Sequence, residues 1–393
     1  MKTGMTQLWV QVILYLILIL SGTWMLLCPI SGMDFQAVEG GGIRYEPAVV
    51  TEVLEEELTP STLGSQLLGR QTLEIRLEDG STVTLENYLT DTHNVLAEAG
   101  QKVVVCVDAP EGAEPYYTLY NYDRSGAVAV IVLIFLGLMV LVGRRKGFDA
   151  ALALLFSLLF LFRITLPSIY AGSSPIGAGM IAVLISTTVT MLLLYGVHIR
   201  SVLAIGVTLA GECAACLFFL LFSQMLHISG FQTSDAESLL VAAQQTGLEI
   251  EQLLFAATMI ASLGAVMDVA VSLLSALWEI RQNETALSGR QLLRSGLNIG
   301  RDMIGTMSNT LIFAFVGGAL GAVLVLFSYG VQAEQLLSSD YVAVELAQGV
   351  CGTAAVILTV PVASAAAAVL FPHHQKIPGH PSLHKTKTIK RKK

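Results

Sequence analysis

The sequence predicts an all-α polytopic membrane core of about eight transmembrane helices, carrying a small external β-barrel-like module of the OB or SH3 type. Three observations carry that reading. Hydrophobic residues make up 54% of the 393 residues and charged residues only 13%, about half the charged share of a soluble domain. Eight apolar stretches approach the length of roughly 20 residues that a spanning helix needs. One polar segment, residues 31–124, alternates in period two instead. This composition excludes a soluble enzyme, and a mean hydropathy of +0.67 excludes disorder.

The stretches lie near 8–30, 125–142, 148–168, 175–196, 201–226, 250–280, 303–329 and 343–371. They divide the chain into an N-terminal helix (1–30), the external module (31–124), a seven-helix core (125–371) and a basic tail (372–393). The first stretch is longer than a signal-peptide core and no A-x-A site follows it, which predicts an uncleaved helix. Placing the N-terminus inside puts 16 of the 22 basic residues on the cytoplasmic side, seven of them in the tail. The outer loops at 169–174, 227–249 and 330–342 then hold none. That asymmetry predicts both termini on the cytoplasmic side and residues 31–124 extracytoplasmic.

The external segment holds 17 acidic and 5 basic residues, a net charge of -12, while the rest of the chain is net +4. Leu73, Ile75 and Leu77 alternate with Glu74, Arg76 and Glu78, the Asp79-Gly80 pair turns the chain, and Val83 and Leu85 continue the pattern. This is a hairpin signal. Further strands are expected at Ala48–Leu58, Val103–Val107 and Tyr116–Tyr122, with Cys106 in the core of its strand. The acidic field repels a phosphate backbone, so nucleic-acid binding is excluded. A spacer or partner-docking role is expected, and the Glu55-Glu56-Glu57 run is read as a solvated edge rather than a metal site.

Ionisable groups cost about 2.5–3.5 kcal/mol at a bilayer centre on insertion scales, so those in the core need a role. In the sixth span, Gly264, Asp268, Ser272, Ser275 and Glu279 share one helical face, which is expected to turn toward other helices. Glu212 lies about eleven residues into the fifth span, about 16 Å deep, with Thr208 and Cys216 on the same face. Arg163 is expected either to snorkel to the outer interface or to pair with Glu212. In the seventh span, Asp302, Thr306, Asn309, Phe313, Gly317 and Gly321 form a further stripe. Asp302 stands where an N-terminal anion is favoured, and Gly317-x-x-x-Gly321 fits close helix packing. Ser186, Thr187, Thr188 and Thr190 either line a polar pathway or bond back to helix carbonyls. Cys213 and Cys216 have redox spacing but sit on a membrane helix, so they are read as packing residues. Leu287, Leu292, Leu293 and Leu297, among Arg290, Arg294 and Arg301, predict an amphipathic helix on the cytoplasmic surface. The tail histidines His373, His374, His380 and His384 and the seven basic residues beside them fit a solvated segment near anionic lipid.

Two of these segments resemble the signatures of the YibE/F-like family. One is Gly264-Ala265-Val266-Met267-Asp268-Val269-Ala270, with Ser272 and Glu279 beyond it; the other is Gly300-Arg301-Asp302-Met303-Ile304-Gly305-Thr306-Met307-Ser308-Asn309-Thr310-Leu311. The resemblance implies a multi-pass bacterial membrane protein and highlights Asp268, Asp302, Thr306 and Asn309.

No Walker loop, H-E-x-x-H or G-x-S-x-G motif occurs, so neither an enzyme nor a cofactor or metal site is expected. The intramembrane carboxylates point instead to a transporter or permease for a small solute or ion. Asp268 and Glu212 would bind a cation or relay protons, Asn309 and Thr306 would add neutral ligands, and Asp302 and Ser272 are counted with the same pathway. The competing expectation is a non-transporting scaffold whose external module docks an envelope protein.

Overall fold

The computed structural model describes residues 2–27, 43–62, 64–110, 112, 114–232, 236–284 and 287–371. The tail and its histidines therefore lie outside the described residues. The chain divides into two compact units, one of Asp34–Phe148 and one of Met1–Met33 with Asp149–Lys393.

The first unit contains five antiparallel strands, β1 (Ile43–Pro60), β2 (Leu67–Leu77), β3 (Thr82–Leu89), β4 (Lys102–Asp108) and β5 (Tyr116–Tyr122), in the spatial order β3-β2-β1-β4-β5. β1 is long enough to serve two partners. Its first half pairs with β4 and its second half with β2, and two register shifts between Val50 and Glu55 lie in the stretch paired with β2. Bulges bend a strand and increase its twist, and the sheet curls until β3 approaches β5. Val50, Leu73, Ile75, Leu85, Val103, Val105, Val107 and Leu119 fill the interior. The expected hairpin turns at Asp79-Gly80, where Gly80 takes φ 87°. The Asp79 carboxylate accepts bonds from the Ser81 hydroxyl and amide at 2.6 and 2.8 Å, which hold its pKa below the ordinary 3.8. Cys106 does not enter the core. Period two turns Val103, Val105 and Val107 inward, so Cys106 takes the opposite, half-buried face.

A polar network is built into this core. Gln71 and Asn87 are buried, and the Asn87 amide donates to Gln71 Oε1 at 3.1 Å and to the Val95 carbonyl at 2.8 Å. Gln71 exchanges bonds with the Ala97 carbonyl and amide at 3.1 and 3.0 Å. These bonds tie the 95–97 segment across β2 and β3. Replacing Gln71 with leucine is expected to cost about 1–3 kcal/mol for each buried group left without a partner. Hydrogen exchange on the full-length protein should show faster exchange at β2 and β3, with the helical unit unchanged.

Six helices of the described residues are long and apolar enough to cross a membrane, namely Ser125–Tyr170, Pro175–Tyr195, Ile199–Met225, Ile250–Asn283, Gly289–Ser328 and Asp340–Leu370. The elements are α1 (Lys2–Leu27), α2 (Ser125–Phe160), a π-helical turn (Leu161–Thr165), α3 (Leu166–Tyr170), α4 (Pro175–Tyr195), α5 (Ile199–Met225), α6 (Ala236–Thr246), a 3₁₀ turn (Ile250–Gln252), α7 (Leu253–Asn283), α8 (Gly289–Ser328), α9 (Ala333–Leu337) and α10 (Asp340–Leu370). Ser125–Tyr170 spans 46 residues, about 69 Å if straight, more than twice a bilayer core. It breaks at Arg144, which has φ 49° and ψ -128°. Close approach follows the break, since a Cβ on Gly147 would stand 1.9 Å from the Met139 carbonyl oxygen.

The core of the helical unit lies among α5, α7, α8 and α10, where Val266, Val269, Ala270, Leu273, Leu277, Leu292, Val356 and Val360 are buried. Glycines set the spacing of these helices. A Cβ on Gly300 would stand 2.1 Å from Val360 Cγ1, and one on Gly296 would stand 2.5 Å from Ser364 Oγ and 3.0 Å from Leu277. Gly317 and Gly321 have no such neighbour within 4 Å. The close-packing glycine pair in α8 is therefore 296/300, not the expected 317/321.

This seam also corrects the expected surface helix. Residues 289–301 continue without interruption into the seventh span as one 40-residue helix. Leu292, Gly296 and Gly300 are buried in the bundle, so the segment packs as part of the same helix. Its N-cap is Ser288, whose hydroxyl accepts from the Gln291 amide while the Gln291 side chain accepts from the Ser288 amide. Asp302 is thus well inside the helix and caps nothing.

Candidate functional site

Three helices meet at Gly211. A Cβ there would stand 2.5 Å from Thr359 Oγ1 of α10 and 2.6 Å from Val266 Cγ1 of α7. The next residue is Glu212. A residue with no side chain to pack against its neighbours thus brings three helix backbones around a carboxylate. Glu212 is fully buried, and Thr208, one turn before it, is buried as well.

The Glu212 carboxylate has two unlike oxygens. Oε2 lies 2.9 Å from the Ser262 hydroxyl of α7. Oε1 is buried with no hydrogen-bond partner among the described residues, and so is Thr208 Oγ1. Ser262 also lies 2.9 Å from the Thr258 carbonyl. A hydroxyl has one proton, so two arrangements fit the same atoms. An ionised Glu212 accepts the Ser262 proton. A protonated Glu212 donates to Ser262 Oγ, and Ser262 turns its own proton to the Thr258 carbonyl. The site accommodates both protonation states without moving a heavy atom.

Other buried polar groups lie at similar depth. Ser275 of α7 meets Tyr195 of α4, and Gly179 of α4 packs on Ala256 and Met259 of α7. These contacts put Thr187 of α4 level with Val266, hence with Gly211. Thr187 is buried and its hydroxyl has no hydrogen-bond partner among the described residues. Thr190, in contrast, donates to the Ser186 carbonyl at 2.8 Å, the back-bonding alternative. At the start of α5, Arg200 stacks 5.3 Å from the centre of the Trp278 ring.

Arg163 does not pair with Glu212. The π-helical turn presents its guanidinium to the Leu26 carbonyl of α1, 3.0 Å away, where it satisfies the end of that helix. Cys216 lies beside Glu212, one turn on, whereas Cys213 is exposed and does not pack.

Asp268 and Glu212 are not brought together. On α7, Ser262, Val266 and Ala270 are buried, while Gly264, Asp268, Ser272 and Glu279 are exposed. The expectation that this stripe turns toward other helices is met within the described residues of the chain only at Ser275, which bonds Tyr195 of α4. The buried face is set by shape, as Val266 enters the notch at Gly211 and Leu277 the notch at Gly296. On α8, Asp302, Thr306, Asn309, Phe313, Gly317 and Gly321 are likewise exposed. Thr306 spends its hydroxyl on the Met303 carbonyl at 3.1 Å.

Two partners escaped the sequence reading. Ser262 lies off the α7 stripe, and nothing in a run of apolar and small residues marks it as the inward one. Asp149 is 5% exposed and is held by the Tyr15 hydroxyl of α1. Its only signal was a lone tyrosine in an apolar first helix.

The apolar helices and the buried polar layer define an integral membrane protein of the polytopic α-helical class. The family model described as YibE/F-like protein matches residues 131–373, so the chain belongs to the YibE/F-like family. The match runs from α2 past α10 and contains Glu212, both exposed stripes and the glycine seam, but not the β sheet. No curated protein matches the chain. No solved structure matches it either.

Proposed function

We propose that this protein is a transporter or permease for a small solute or ion in a bacterial plasma membrane, with Glu212 as its proton- or cation-binding group. The observation that carries the reading is the buried carboxylate at mid-depth with one oxygen on Ser262 and the other unsatisfied. Intramembrane carboxylates of this kind mark substrate or ion pathways. Thr208 and Thr187 are the neutral ligands of the pathway. The break at Arg144 makes two spans of Ser125–Tyr170, and α1 adds one to the six long helices. A count of eight spans, read with the distribution of Lys and Arg, supports a topology with both termini cytoplasmic. The test is a flux screen on liposome-reconstituted protein against a Glu212→Gln variant. Flux in the wild type and none in the variant supports the proposal, and equal flux in both overturns the role of Glu212.

A second reading rests on the sheet unit. Its strand order, with β1 paired to both β2 and β4 and β3 near β5, fits an OB-like barrel outside the cell. Tyr45, Tyr88, Tyr116 and Tyr120 are exposed on it, with Tyr45 and Tyr120 edge to face at 4.8 Å. Exposed tyrosines on an acidic surface fit a protein-docking face. Replacing Tyr45 and Tyr120 with serine should then abolish co-purification of an envelope protein while leaving flux unchanged. Retention of that protein by the double variant would remove this reading.

A further inference from the structure

The exposed stripes of α7 and α8 pose a problem that the Glu212 site does not absorb. Asp268 lies near the middle of its helix, and among the described residues no hydrogen bond reaches its carboxylate. Lipid cannot supply one, and a bare carboxylate at such depth is costly. Some polar surface has to cover it.

The depth of each group follows from the packing of α7 on α8. Leu277 lies against Gly296, while Gly352 of α10 touches both Ser262 and Leu311. These reference points are fifteen residues apart on each of the two antiparallel helices. Asp268 therefore stands level with Gly305 and Thr306, Gly264 with Asn309, and Ser272 with Arg301 and Asp302. Near the inner end, Glu279 stands level with Arg294. At each level one helix carries an acceptor, or an open glycine, where the other carries a donor or a side chain to fill the space. Gly264 and Gly305 have nothing within 4 Å, so a neighbouring backbone can come close.

We propose that a second copy of this chain covers these stripes, α7 of one protomer packing against α8 of its partner about a two-fold axis along the membrane normal. Such an axis preserves depth, so the levels fixed within one chain are the levels that meet between two. Asp268 faces Gly305 and Thr306, whose hydroxyl turns from the Met303 carbonyl to the carboxylate, Gly264 faces Asn309, Ser272 faces Asp302, and Glu279 faces Arg294. A two-fold interface must be self-complementary, and this pairing of acceptors with donors meets that requirement. Small residues that admit close approach, with polar side chains bonding across, are the usual components of helix association in lipid.

The test uses two differently tagged full-length copies in one membrane, with the five native cysteines replaced by alanine. One copy carries Asp268→Cys and the other Thr306→Cys. A second pair, Gly264→Cys with Asn309→Cys, guards against misfolding of the Asp268 variant. Leu217→Cys, exposed on α5, replaces the α7 cysteine as the control. The expected result is an oxidant-dependent dimer carrying both tags for either stripe pair, and monomer for the control. Monomer from both stripe pairs overturns the proposal, and so does a stoichiometric adduct to a different protein.

Discussion

Replacing Gly300 with alanine is expected to destabilise the helical unit by about 1–3 kcal/mol, the usual cost of overpacking. Helix propensity argues the other way, since alanine is favoured over glycine by up to about 1 kcal/mol in a helix interior. The packing term decides the sign. The added Cβ would stand 2.1 Å from Val360 Cγ1, 3.0 Å from Cγ2 and 3.1 Å from Cβ. Valine in a helix holds essentially one rotamer, so Val360 cannot turn away and the backbones of α8 and α10 must separate. Gly206→Ala is the matched control, because nothing lies within 4 Å of a Cβ there. Thermal unfolding in detergent, followed by loss of the monodisperse peak on size exclusion, should fall for Gly300→Ala and not for Gly206→Ala. Adding Val360→Ala to Gly300→Ala should restore most of the loss. Equal stability of the two glycine variants would mean that α8 and α10 do not meet at this distance.

That seam shows where the sequence was legible and where it was not. Spanning segments follow from apolar length, and the strands from period two, because each depends on local composition. The glycines of α8 were legible as a class only. Gly296 and Gly300 have the same four-residue spacing as Gly317 and Gly321, and the choice between the pairs belongs to α10, which brings Val360 and Ser364 to one of them. The α7 stripe failed for a related reason. In water the polar face of a helix turns outward and the apolar face inward, but lipid is as apolar as leucine and gives no such direction. Packing shape chose the inward face, so Ser262 became the partner of Glu212 while Asp268 was left outside. Glu212 was legible because a carboxylate at that depth needs a reason whatever surrounds it. Its partner was not, because a serine in a membrane helix satisfies itself on a carbonyl one turn back and leaves no mark in the sequence.

Glu212→Gln and Glu212→Leu are expected to remove flux while leaving the fold as stable as the parent, or more so. The two roles open to Glu212 predict opposite outcomes. If its bond to Ser262 served only to hold α5 against α7, losing it would cost about 0.6 kcal/mol, the average for such bonds in membranes, and would leave transport intact. The geometry argues against that role. Ser262 keeps the Thr258 carbonyl at 2.9 Å when Glu212 is gone, so neither substitution strands its hydroxyl. Oε1 already lacks a partner among the described residues, so leucine removes a buried polar atom that makes no hydrogen bond. Groups retained at a cost in stability belong to function. The glutamine variant separates charge from shape. It preserves the side-chain volume and an acceptor for Ser262, but it cannot take up or release a proton. Parent flux should therefore vary with pH through the two hydrogen-bond arrangements at Ser262, and any residual flux of the glutamine variant should not. Thermal midpoints measured beside flux decide the matter. A fall in stability with unchanged flux would make Glu212 a packing residue and leave the transport proposal without its binding group.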